Sequence, residues 1–108
     1  MAGACVTVLK AFFDENQLVD SPVEPDSTGA NLVPYSGTLT LKDELHKLAC
    51  NIAEARNFAG IHYRSDMTRG LFLGEQVAIG MMQQMNTCYP EKFRFKFTKF
   101  DGSSVTIR

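Results

Sequence analysis

Apolar residues return at helical intervals in three stretches of this chain. Val6, Leu9, Phe12 and Phe13 follow i, i+3, i+4 spacing and predict a helix over 3–15, with Asp14, Glu15 and Asn16 closing the stripe. Leu41, Leu45, Leu48, Ala49, Ile52 and Ala55 predict a second helix over about 41–59. Thr40 is placed to cap it, and Asp43 three positions on meets the free amides of the first turn. Gly60 is placed to end it in a left-handed conformation. Met67, Leu71, Val77, Ala78, Met81 and Met85 form one apolar band over a third helix at 65–85. Gly70, Gly74 and Ala78, four apart, predict close approach by another helix.

The pattern changes at both ends of the helical region. Residues 17–40 hold Pro22, Pro25, Gly29, Pro34 and Gly37 and read as a long connection, with Leu32, Val33 and Tyr35 pinning it to a surface. In the tail, Phe93, Phe95 and Phe97 alternate with polar residues, as do Val105 and Ile107, so 93–108 predicts a β-hairpin. A two-residue turn at Asp101-Gly102 would put the two apolar sets on opposite faces. A three-residue loop, Phe100-Asp101-Gly102, aligns Phe97 with Val105 and Phe95 with Ile107 and is preferred. The fold class is mainly α: one domain over 1–108, three to four packed helices, a long loop and a C-terminal hairpin.

Composition narrows the function classes. A chain of 108 residues with a 44% hydrophobic and 21% charged make-up is sized for one small globular domain. A net charge of −1 provides no field for nucleic acid or an anionic membrane. No apolar run reaches the ~18–20 residues of a spanning helix, and the N-terminus lacks a basic signal region, so the expected location is cytoplasmic. Cys5, Cys50 and Cys88 are an odd number of thiols, expected to be reduced, two of them buried on helices. Lys92, Arg94, Lys96, Lys99 and Arg108 make the tail basic. With Tyr89 and Phe100 as the only expected exposed aromatics, this reads as protected edge strands, not a nucleic-acid platform.

The chemistry concentrates at residues 56–66. Arg56 lies four residues after Ile52, beside an apolar face, where a guanidinium needs either a carboxylate across a helix interface or a bound oxyanion. His62 follows by six. On an unbroken helix the two would diverge by roughly 120°, but a break at Gly60 lets them converge. Asp66 is four residues beyond His62; on one helix it would hold the Nδ1 proton and leave Nε2 for a ligand. A structural histidine is the competing reading.

The segment from Gly37 to Asp66, ending in Arg56-x5-His62-x3-Asp66, resembles the C-terminal region of the vanadium-dependent haloperoxidases, which group with type-2 phosphatidic acid phosphatases. The resemblance extends through Leu73-Gly74-Glu75 and Ala78-Ile79-Gly80 to Phe97–Gly102, and back to Ala2–Cys5 and Leu9–Asp14. It implies that His62 is the axial vanadate ligand, or the phosphoryl-accepting nucleophile of the phosphatases. It likewise implies that Arg56 binds the equatorial oxygens and that Asp66 is the carboxylate behind the histidine. The family's Lys-x6-Arg-Pro and Pro-Ser-Gly-His motifs do not occur in this sequence, and Tyr35-Ser36-Gly37-Thr38 is no substitute. The expectation is therefore the end of a larger enzyme carried as its own unit, inactive alone and retaining weak vanadate or phosphate binding at Arg56 and His62. The alternatives are half of an active site completed by a partner chain or second copy, and a structural module. Apolar faces left uncovered predict a homodimer or higher homo-oligomer, in contact through Gly70/Gly74/Ala78 and Met81, Met82 and Met85.

Overall fold

The computed structural model describes all 108 residues. Three helices and two strand pairs follow in the order α1 (Ala2–Phe12), β1 (Val23–Pro25), β2 (Leu32–Pro34), α2 (Leu41–Phe58), α3 (Arg64–Cys88), β3 (Phe95–Thr98) and β4 (Ser104–Ile107). Helix α1 ends at Phe12, three residues before the expected limit, because Glu15 turns away to bind the tail. Its carboxylate accepts hydrogen bonds from the Thr98 amide (2.9 Å) and hydroxyl (2.8 Å). Helix α2 starts as expected. Thr40 Oγ1 accepts from the Asp43 amide, while the Asp43 carboxylate accepts from the Thr40 amide, both at 3.3 Å. Gly60, at φ 71°, provides the left-handed turn that separates α2 from α3.

The segment 17–40 is more ordered than its turn residues suggest. Antiparallel pairing of β1 with β2 organises it, with Glu24 opposite Val33. Of the three residues expected to pin it, Leu32 and Val33 are exposed and Tyr35 is half-buried, so backbone pairing adds an order that apolar contact supplies only at Tyr35. In the C-terminal hairpin Phe95 faces Ile107 and Phe97 faces Val105, the register of the three-residue loop. Gly102 is left-handed at φ 82°.

The core is small and divided. Val6, Leu45, Ala49 and Leu71 join the three helices, and Ala78, Met82, Phe97 and Ile107 join α3 to the hairpin. Helix α1 lies so close to α3 that a Cβ on Gly3 would strike the Leu71 carbonyl, and one on Gly74 would come within 2.8 Å of the Ala4 nitrogen. Gly74 and Ala78 are thus spent on contact inside the chain. This corrects their assignment to a dimer interface; Met82 is likewise buried. The expected single band on α3 is really two stripes. Leu71, Ala78 and Met82 point inward, while Val77, Met81 and Met85 point to solvent. All three cysteines are exposed, contrary to the expected burial of two. Phe100 is half-buried, not exposed.

A candidate oxyanion site

Arg56 sits in the last turn of α2, and the chain then reverses within a few residues. The Ile61 amide donates to the Arg56 carbonyl at 3.2 Å. The Asn57 amide group, in its satisfied orientation, donates to the carbonyls of His62 (3.3 Å) and Tyr63 (3.2 Å). Asn57 thus fixes the turn that carries His62, a role that the sequence reading did not assign. Asp66 lies in the first turn of α3 and accepts from the Tyr63 amide at 3.2 Å, which stabilises the helix start.

This reversal brings Arg56, His62 and Asp66 to one cavity of about 360 Å³. Ile52, Met67 and Leu71 make its wall apolar, and Met1 with Ala2 and Gly3 of α1 closes one side. His62 precedes α3, so His62 and Asp66 do not share a helix as expected. They bridge its N-terminus, with His62 Nδ1 3.7 Å from Asp66 Oδ2. That distance is an electrostatic contact, longer than a hydrogen bond. With Nδ1 turned toward the carboxylate, Nε2 is the ring nitrogen left for a ligand. Arg56 is exposed and forms no ion pair, so of the two explanations for its charge the interhelical salt bridge is absent. Its planar donor fork is open to an anion.

A second cluster of charge was missed by the sequence reading. Lys10 of α1 is fully enclosed, and its Nζ donates to the Thr98 carbonyl at 2.6 Å and lies 2.9 Å from His46 Nε2. Glu75 Oε1 is 3.7 Å from the same nitrogen and accepts the Phe100 amide at 2.8 Å. The Phe100 ring lies under the ammonium at 4.5 Å and stacks on His46. Burial lowers the Lys10 pKa, opposed chiefly by Glu75 and Glu15. Burial also lowers that of His46, reinforced by Lys10 and Lys42. The available signal was positional. Lys10 is four residues after Val6, and Glu75 four after Leu71, each on the buried stripe of its helix.

Residues 1–91 match the family model described as the VCPO second helical-bundle domain. The chain belongs to the vanadium haloperoxidase family. It is 50% identical to a vanadium-dependent bromoperoxidase of Corallina officinalis over 99% of its own length, and equally to one of Corallina pilulifera. A vanadium-dependent bromoperoxidase of Ascophyllum nodosum is 38% identical over 97% of the chain. The chain spans only 18–20% of the length of these relatives. It corresponds to one helical-bundle segment of such enzymes. No helix is long and apolar enough to cross a membrane.

Proposed function

We propose that this segment supplies the histidine–arginine side of a vanadate site, with the other oxyanion donors provided by polypeptide outside it. The supporting observation is the convergence of Arg56 and His62 on one cavity, with the guanidinium free of any carboxylate. The donor set suits a tetrahedral oxyanion on one side only. Arg56 offers a bidentate fork and His62 a ring nitrogen, with the Asp66 carboxylate beside the other nitrogen of that ring. Vanadate, held there by Arg56 and His62, would supply an electrophilic centre for peroxide activation.

The chain's own part is to bind and orient. Arg56 offsets the negative charge of the oxyanion. Asp66 lies on the Nδ1 side of the imidazole, which leaves Nε2 for the ligand. The apolar wall of Ile52, Met67 and Leu71 lowers the local dielectric and strengthens both interactions. Each missing oxyanion donor removes about 3–4 kcal/mol of transition-state stabilisation. Neither family motif that would provide them occurs in this sequence. The chain alone is therefore inactive.

The test is bromide oxidation with vanadate and peroxide. The purified chain should show no turnover. The Corallina officinalis relative carrying this chain in place of its matching segment should oxidise bromide, and His62→Ala in that chimera should abolish it. Robust turnover by the chain alone, or an unaffected His62→Ala chimera, contradicts the reading.

A further inference from the structure

The turn that carries His62 is not held by burial. Ile61 and Tyr63, on either side of it, are 58% and 81% exposed. The His62 ring is itself 43% exposed, and its one charged neighbour, Asp66, lies at 3.7 Å. No main-chain group donates to the His62 carbonyl or accepts from its amide. A ring that is to meet a ligand at a fixed place needs some other anchor.

The side chain of Asn57 is that anchor. Its amide donates to the His62 carbonyl at 3.3 Å and to the Tyr63 carbonyl at 3.2 Å. The opposite orientation would set the amide oxygen against two carbonyl oxygens. It would leave the nitrogen only an exposed Glu54 carboxylate at 3.5 Å, a marginal hydrogen bond. The Asn57 carbonyl also accepts the Gly60 amide at 2.8 Å, and the left-handed Gly60 folds the chain back far enough for residue 57 to reach 62 and 63. The Tyr63 carbonyl has other donors, the amides of Asp66 (2.9 Å) and Met67 (3.4 Å); the His62 carbonyl has Asn57 alone.

We infer, on the reading of this cavity as an oxyanion site, that Asn57 is a positioning residue that sets His62 relative to Arg56 and thereby the affinity for a tetrahedral oxyanion. Asn57 follows Arg56 directly in the last turn of α2. One residue is therefore joined to the guanidinium side of the site by a peptide bond and to the imidazole side by a hydrogen bond. A carboxamide carries two N–H donors, one for each carbonyl. An aspartate of the same shape would offer none and would repel both carbonyls. Partners that orient a ligating histidine are worth about ten- to a hundredfold in affinity at metal sites.

Two variants of the purified chain test this role. Asn57→Leu keeps the volume and removes both donors, and Asn57→Asp keeps the shape and replaces them with a charge. Amide hydrogen exchange at residues 60–63, followed by NMR without any anion, should quicken roughly tenfold in both. The urea midpoint should barely move, because the turn belongs to neither core cluster. Relative to the parent chain, the Asn57→Asp effect should shrink as pH falls through the carboxyl range near about 4, where the acid regains one O–H donor, and the Asn57→Leu effect should not. Titration with orthovanadate at neutral pH should show roughly tenfold weaker binding in both variants. A parent chain that binds no vanadate would refute the anion site, while the exchange data would still decide whether Asn57 holds His62. Unchanged exchange at 60–63, quickened exchange with undiminished vanadate affinity, or a large fall in the urea midpoint would each overturn the positioning role.

Discussion

Two charged clusters share the same helices and differ in nearly every physical respect. The knot of Lys10, Glu75 and His46 is enclosed between α1, α2, α3 and the hairpin, and the Lys10 ammonium is held by a carbonyl, an imidazole, a carboxylate and an aromatic ring. The cluster of Arg56, His62 and Asp66 is exposed at a cavity and loosely coupled, and its guanidinium has no acidic partner. Buried charge with every partner present belongs to the fold, since leaving any of it unmatched is very expensive. An open, unmatched cation beside an apolar cavity contributes little to folding and is free to meet a ligand. The contrast separates the charges that build this domain from those that equip it.

The sharpest way to break the contrast is to unbalance the knot. Glu75→Leu leaves the Lys10 ammonium buried without its carboxylate and the Phe100 amide without an acceptor. A loss on the order of 3–5 kcal/mol is expected in urea unfolding. The double variant Lys10→Met/Glu75→Leu should regain much of it. If Glu75→Leu is neutral, the knot does not hold the fold.

A milder effect comes from pH. The His46 pKa is lowered in the folded chain by burial first, then by Lys10 and Lys42, with Asp43 and Glu15 opposing. Above its ordinary value, about 6.5, the ring is neutral in both states and stability is unaffected. Below it, the unfolded chain takes up a proton that the folded chain resists, so stability falls as pH falls toward the depressed value. The low pKa of Asp43, held down by its bond from Thr40, acts only below 3.8 and leaves this window to His46. The thermal midpoint should therefore drop between pH 7 and pH 5, and His46→Gln should flatten that slope.

The smallest effect belongs to the cavity. Arg56→Met removes an exposed, unpaired charge, so the unfolding free energy should shift by no more than about 0.5 kcal/mol. A large loss would show that Arg56 is a structural charge after all, and would collapse the distinction between the clusters.

What the sequence revealed was local. The Thr40–Asp43 cap, the left-handed Gly60 and the hairpin register each depend on a few adjacent residues, and each is found as expected. The arginine, histidine and carboxylate could also be named from their spacing, and the break at Gly60 does bring them to one cavity. Long-range pairing was hidden. Lys10 meets Thr98 and Glu75 only after the chain has folded back on itself; its place four residues after Val6 marks it as buried but names none of its partners. The β1–β2 pair escaped because three-residue strands ending in Pro25 and Pro34 show no alternation to read. The third helix misled for a different reason. A solvent-exposed apolar face and a core face on one helix merge into one broad band when only hydrophobicity is counted.

The central claim is that half of an oxyanion site survives in this segment. Calorimetric titration of the purified chain with orthovanadate, beside His62→Ala, tests it most directly. Saturable binding that disappears in the variant is the predicted result. No heat with either protein, or equal heat with both, would contradict the account and leave Arg56 and His62 without a ligand.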